Sequence, residues 1–396
     1  MRTSSPPCGD AKTLTNVGTV AAEIVSLDLL ASMQPIPSPR PHESPQGKET
    51  LVTILIPTPR PIVAAPMAGG PTTVALALAV AEAGGFPFLA GGYKTAEALH
   101  AEIQQLQAKN VPFGVNIFVP SNATVDPAAL SAYADELAPE AEHYGLQLDP
   151  CPVSDDDHWD DKIALLTTHP VPVVSFTFGL PPQDIIAKLH EHGTQALITV
   201  TTPEEAVAAT ERGADGLIIQ GPAAGGHSAT FDPTRTPQPE DLPTLVSHVR
   251  KASPLPVIAA GGIDGAEAVR ATLDAGAIAV AVGTLLLRTN EAGTSATHRA
   301  ALADPAFDDT TITHAFTGRP ARALTNDFIT QHPATAPHAY PAMHHLTRPL
   351  RQAATQAGDA HRVHLWAGTG YRNAPTGPAA NIIRTLYPLP DDEHLT

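Results

Sequence analysis

From residue 51 onward, short and nearly unbroken apolar runs alternate with longer stretches whose apolar residues recur every three or four positions. The first pattern is that of strands buried on both faces, the second that of amphipathic helices. Strands are predicted at 61–67 (PIVAAPM), 86–92 (FPFLAGG), 113–120 (FGVNIFVP), 171–179 (VPVVSFTFG), 195–200 (QALITV), 216–221 (GLIIQG), 256–262 (PVIAAGG) and 277–284 (AIAVAVGT). Between them lies helical text such as TTVALALAVAEAGG, TAEALHAEIQQLQAK, TPEEAVAATERG and DGAEAVRATLDAG, several opening on Thr or Asp and closing on Gly. A Thr or Asp oxygen satisfies free N–H groups of a first helical turn, and glycine accepts the left-handed backbone that ends a helix. The fold class is therefore α/β, and eight such units predict a parallel sheet closed into a (β/α)8 TIM barrel. An open doubly wound sheet is the alternative.

Residues 1–50 are rich in Pro and Ser around one apolar patch, VAAEIVSLDLLASM, and read as a poorly ordered N-terminal extension. Residues 51–305 carry the barrel. Beyond it no strand repeat continues, so 306–396 read as a smaller helical cap domain with a C-terminal segment packed on the barrel. The acidic DPCPVSDDDHWDD before the fourth strand reads as a solvated excursion leading into a helix at KIALLTT.

Composition narrows the partners. With 43% hydrophobic residues the 396-residue chain buries a large core, and its net charge of −17 argues against nucleic acid and against an anionic membrane surface. A small-molecule substrate is expected. Cys8 and Cys151 make neither a disulfide framework nor a zinc motif, which suits a cytoplasmic location. No stretch approaches the ~20 consecutive apolar residues of a membrane span.

In such a barrel the chemistry sits on loops after the strands. Gly261 and Gly262 follow the seventh strand, and Gly283 and Thr284 the eighth, where amides approach an anion closely; the same glycines also serve tight turns. Without a lysine-bearing Walker sequence, a flavin mononucleotide or sugar phosphate suits them better than a nucleoside triphosphate. His227, after Gly225 and Gly226 in QGPAAGGHSATFD, can reach over a ligand at the barrel mouth, and an unperturbed pKa of ~6.5 suits a general base; a surface-loop histidine is the plainer alternative. Asn116 and Gln220 read either as buried amides bonded to backbone or as contacts to a heterocycle edge. The histidines at 332, 338, 344, 345, 361 and 364 follow no metal-ligand spacing and read as a solvated, weakly ordered surface.

Six ordered motifs carry a resemblance over about residues 55–390: PIVAAPMAGGPTT with ALAVAEAGGFPFLAGG, FGVNIFVP, GADGLIIQGPAAGGHSATFD, PVIAAGGIDGAEAVRATLDAGAIAVAVGTLLLRTNEA, FTGRPARALTNDFI and LWAGTGYRNAPTGPAANIIRTL. Together they resemble the nitronate monooxygenases, formerly 2-nitropropane dioxygenases, which have an FMN-binding barrel with a smaller helical domain and use no metal. The resemblance implies that Asn116 and Gln220 bond the flavin and that Gly225 and Gly226 lie at it. It implies that Ala65, Met67 and Ala68 lie beside its ring, that Gly261, Gly262, Ala281, Val282, Gly283 and Thr284 hold its phosphate, and that His227 is the catalytic histidine. Two positions depart from the family pattern. Ala223 stands where an acidic residue is common, and Ala281-Val282 where glutamine and a larger apolar residue are common. The implied activity is FMN-dependent oxidation of nitronates by O2 to a carbonyl compound and nitrite. His227 would take the α-proton of a nitroalkane or, as imidazolium, hold a nitronate. A homodimer is compatible with this reading. The alternatives are an FMN-dependent enoyl-acyl carrier protein reductase using NAD(P)H, a specialised biosynthetic flavin oxidase, and a flavin-binding sensor without turnover.

Overall fold

All eight apolar runs form parallel strands. In the computed structural model, which describes residues 55–121, 125–151, 153–332 and 336–394, they are β1 (Ile62–Ala64), β2 (Phe86–Ala90), β3 (Gly114–Phe118), β4 (Val173–Thr177), β5 (Gln195–Val200) and β6 (Gly216–Gln220), then β8 (Val257–Ala260) and β9 (Ala279–Val282). They close in the order β1-β2-β3-β4-β5-β6-β8-β9, and pairing of Val63 with Ala281 joins the last strand to the first. The barrel of the sequence reading is the observed fold. The predicted 1–50 extension lies outside the described residues.

Alternation along each strand explains the near-continuous hydrophobicity. Val63, Phe86, Phe88, Val173, Leu197, Ile218 and Ile258 pack into one cluster inside the barrel, while their neighbours Ile62, Leu89, Val174, Ile198 and Leu217 belong to the cluster shared with the helices. Phe86 and Phe88 meet edge to face at 5.4 Å. They leave no room beside them, and a Cβ on Gly114 would lie 2.3 Å from the Phe88 ring. The helices carry the expected caps: Thr73, Thr95, Thr202 and Asp241 accept from Leu76, Ala98, Glu205 and Thr244 N–H groups, and Gly213 ends Pro203–Arg212 in the left-handed region. Each such cap stabilises its helix by about 1 kcal/mol.

The cap departs from the expectation in two ways. It holds helices, among them Ala342–Ala357 in the stretch read from the sequence as a solvated, weakly ordered surface, but also a three-stranded antiparallel sheet of β10 (Thr310–Thr313), β11 (Ala321–Leu324) and β7 (Gly226–His227), in the order β10-β11-β7. Its apolar core also draws on the helix Pro127–Glu136 after β3, through Leu130 and Tyr133, against Phe316, Phe328, Met343 and Leu350. The cap is thus assembled from distant parts of the chain. The terminal helix Ala379–Leu386 lies on the barrel exterior, and the Arg60 side chain, paired with Asp392 and donating to Tyr387 O at 2.9 Å, fixes the segment beyond it. Among the described residues no helix is long and apolar enough to cross a membrane.

Candidate active site

The strand ends open into a cavity of about 770 Å³ at the C-terminal mouth of the barrel. Its floor contains Ala65, Met67 and Ala68 after β1, Asn116 of β3 and Gln220 of β6. Gly261 and Gly262 after β8, with Ala281, Val282, Gly283 and Thr284 at the end of β9, line the same floor. Gly225, Gly226 and His227 line it from the loop after β6. The structure therefore brings together every site residue proposed from the sequence.

Gly261 and Gly262 have φ of +118° and +72°, a backbone region costly for residues with a Cβ. Thr284 opens a 3-10 turn whose first return bond is Leu286 N–H to Gly283 O at 2.8 Å, so the amides of Thr284 and Leu285 have no acceptor within the turn. Asn116 spends its amide donors within the barrel, its Nδ2 lying 2.9 Å from Ser175 Oγ and 2.8 Å from Thr177 Oγ1. Gln220 is a brace: Nε2 donates to His227 O at 3.0 Å, and Oε1 accepts from Ala229 N–H at 2.7 Å.

That brace is one of several, and the loop carrying His227 is not the flexible tether its glycines suggest. His227 and Gly226 pair as β7 with Ala321 and Arg322 of β11. Arg322 Nε donates to Pro222 O at 2.9 Å, Ser228 N–H to Pro320 O at 2.7 Å, and Arg319 Nε to Ser228 O at 3.1 Å. Gly225 is required by close approach, since a Cβ there would lie 2.5 Å from Gly368 N. Ala223 packs beneath this loop, its O accepting from Thr369 N–H at 3.1 Å.

Around the His227 ring stand Phe178, Tyr340 and Trp366, with centroids at 5.9, 5.6 and 5.3 Å. The Arg319 guanidinium lies 4.0 Å from the Phe178 centroid. Phe178 itself has φ of +80°, a strained value for a bulky residue that the packing holds in place. Burial first, and then the Arg319 and Arg351 cations, bring the His227 pKa down to about 3. This corrects the expectation of an imidazole titrating near 6.5: with the cavity unliganded, burial and the two cations keep His227 uncharged at neutral pH. The lasting positive charge belongs to the two arginines. Burial lowers both to about 10, which leaves them charged at pH 7.

The histidine tract is also not what the sequence suggested. His344 and His364 line the cavity, His332 is buried against Glu136 at 2.6 Å, and only His338 and His361 of that set are exposed. Arg351 donates to His344 O at 2.8 Å and lies 3.3 Å from His364 Nδ1. Among the described residues no three His, Cys, Asp or Glu side chains form a group suited to a metal ion. Thr317, Arg319, Arg351 and the three aromatic residues were not singled out from the sequence. Thr317 and Arg319 lie in FTGRPARALTNDFI, Phe178 in the fourth predicted strand and Trp366 in the terminal motif, but nothing local marked them as parts of one site.

Suppressed histidines have a consequence for stability. Burial as the leading cause keeps the folded pKa of His227 at about 3 and of His298 at about 4, and moves those of His344 and His364 down as well. Below the ordinary value of ~6.5 the unfolded chain therefore binds protons that the native chain refuses. This part of the stability is complete above about pH 6.5 and is lost as pH falls towards 4 and 3, at up to about 1.4 kcal/mol per pH unit for each histidine. Urea midpoints should stay nearly level from about pH 7.5 to 6.5 and fall steadily from there to about 4.5; no fall below about pH 6.5 would contradict the neutral, enclosed state of these rings.

Comparison with known proteins agrees with this architecture. Residues 50–388 match the family model for nitronate monooxygenase. A probable nitronate monooxygenase of Staphylococcus saprophyticus is 35% identical over 329 residues, spanning 82% of this chain and 92% of the relative. One from Bacillus subtilis is 34% identical over 320 residues, spanning 79% and 91%. Among solved structures, the nitroalkane oxidase of Streptomyces ansochromogenes superposes with a TM-score of 0.78 at 47% identity, covering 83% of this chain and 95% of that one. FabK of Thermotoga maritima gives a TM-score of 0.65 at 27% identity, with coverage of 85% and 94%. The protein is an oxidoreductase built on a (β/α)8 barrel. The chain belongs to the nitronate monooxygenase family.

Proposed function

We propose that the protein oxidises alkyl nitronates and their parent nitroalkanes, propionate 3-nitronate among them, with dioxygen and bound FMN to a carbonyl compound and nitrite. The observation that carries this reading is an uncharged imidazole in a cavity that the Arg351 guanidinium also lines, with the Arg319 guanidinium buried behind Phe178. Such a site accepts a proton and favours the anion left behind.

The cavity suits a flavin phosphate. The amides of Thr284 and Leu285 and the left-handed Gly261 and Gly262 offer donors to a phosphate. Small side chains at Ala65, Ala68, Ala260 and Ala281 leave the floor open to a flat ring. Thr294 Oγ1 and His298 Nε2 line the cavity, buried and without a protein partner, as a polar ligand requires. When bound, the flavin supplies the electron transfer from substrate to dioxygen.

The chain's own part is binding and proton transfer. Phe178, Tyr340 and Trp366 exclude water from the imidazole, and Phe178 and Trp366, which line the cavity, hold the alkyl portion of the substrate. His227 takes the α-proton of a nitroalkane. The transfer turns a neutral pair into an imidazolium beside a nitronate, so no net charge is created in the enclosed site, and the nitronate raises the affinity of the ring for its proton. Arg351, which lines the cavity, stabilises the nitro group as negative charge gathers on its oxygens, and the buried Arg319 adds only its field.

The purified protein should be yellow and should consume oxygen with propionate 3-nitronate, releasing nitrite. Colourless protein that takes up no added FMN would overturn the cofactor assignment. Oxidation of NAD(P)H dependent on an enoyl thioester, with no activity on nitro compounds, would replace the reading with a reductase.

A further inference from the structure

The two nitrogens of the His227 ring are in different surroundings. Nε2 lies 2.9 Å from Thr317 Oγ1. Nδ1 has no hydrogen-bond partner among the described residues, is not among the buried unpaired atoms, and belongs to a ring that lines the cavity. The Tyr340 hydroxyl does not compete for it, being 3.3 Å from the Tyr93 hydroxyl.

Thr317 decides which nitrogen carries the proton. Its hydroxyl has one hydrogen to donate and two candidates for it: His227 Nε2 at 2.9 Å and Arg319 O at 3.4 Å. Distance alone favours the ring, but satisfaction of buried groups favours the carbonyl. Arg319 is 1% exposed, and Thr317 is the sole donor its carbonyl has among the described residues. A buried carbonyl left without a donor costs about 1–3 kcal/mol. Donation to Arg319 O leaves the Thr317 oxygen lone pairs facing Nε2, and only a protonated Nε2 can then complete the contact.

We propose that Thr317 is a positioning residue that fixes His227 as the Nε2–H tautomer, so that the Nδ1 lone pair facing the cavity is the base. The inference rests on the role of His227 in the proposed function, and it names the atom and the residue that selects it. Thr317 also links the ring to Arg319, whose guanidinium holds the backbone on the other side of His227 at Ser228 and Thr230. One turn of the cap, Thr317 to Arg319, thereby sets the tautomer, the loop and the local field together.

The test uses the flavin-loaded full chain labelled with 15N-histidine, the His227 signals being those absent from His227→Asn. In the wild type, Nε2 should resonate as a protonated, pyrrole-type nitrogen and Nδ1 as a bare, pyridine-type one. Thr317→Val should mix or reverse this pattern and lower kcat on a neutral nitroalkane about tenfold to a hundredfold with little change in KM. Thr317→Ser, which keeps the hydroxyl, should restore both. A protonated Nδ1 in the wild type, unchanged kcat in Thr317→Val, or a Thr317→Ser enzyme as slow as Thr317→Val would overturn the proposal. The wild-type tautomer is read without substrate and without any Thr317 variant. A protein inactive on nitro compounds would therefore sink the proposed function while the tautomer still decides this inference.

Discussion

Replacing His227 by asparagine is expected to lower turnover of a neutral nitroalkane by about a hundredfold to ten-thousandfold, the usual contribution of a positioned base, with the flavin still bound. Asparagine preserves the backbone of β7 and its pairing to Ala321, so the roof of the cavity stays in place. Among the described residues none of the floor residues proposed for the phosphate touches the substituted side chain through a hydrogen bond, and the ring's one polar partner is Thr317. What disappears is the lone pair proposed to receive the α-proton. A nitronate supplied already ionised needs no such acceptor, and its oxidation should fall far less. Flavin content from the visible spectrum, together with kcat and KM for a nitroalkane and its nitronate, checks this. Equal losses on the two substrates would assign His227 to binding or packing, and no loss on either would remove it from the mechanism.

Arg319→Met is expected to lower the unfolding free energy by about 2–4 kcal/mol, read from urea midpoints. Arg319 is among the largest fully buried side chains, and its Nε and Nη2 donate to Ser228 O and Thr230 O. Methionine fills much of the same volume but donates nothing, so both carbonyls would be buried without those donors. Removing the guanidinium also relieves its own desolvation, and whole buried ionic groups can be exchanged for apolar ones without loss when every member goes together. Here the acceptors are backbone and cannot be removed, so the loss prevails. The same change frees the loop at Ser228 and takes away one of the two cations that keep His227 neutral. Arg319→Lys should recover only part of the stability, because one ammonium cannot reproduce the planar fork that spans both carbonyls. A midpoint unchanged in Arg319→Met would show that the loop is held by its β pairing alone.

The sequence by itself determined the barrel and its floor. Strands covered on both faces must be apolar throughout, which makes runs such as Val173–Thr177 and Gln195–Val200 visible without coordinates. Helix caps are local chemistry and were legible for the same reason. So were Gly261, Gly262, Gly283 and Thr284, because in a parallel barrel the end of a strand is also the place where ligands are met. The roof was not legible. β7 is two residues long, and its partner β11 lies far along the chain, so no periodicity announces it. Pro349 inside the helix Ala342–Ala357 masks the pattern that puts His344 and Arg351 on the cavity. The charge state of His227 was the least accessible property of all. A pKa is a sum over whatever surrounds a group in space, and the burial and the two arginines that set this one exist around the ring only once the cap has closed over the barrel.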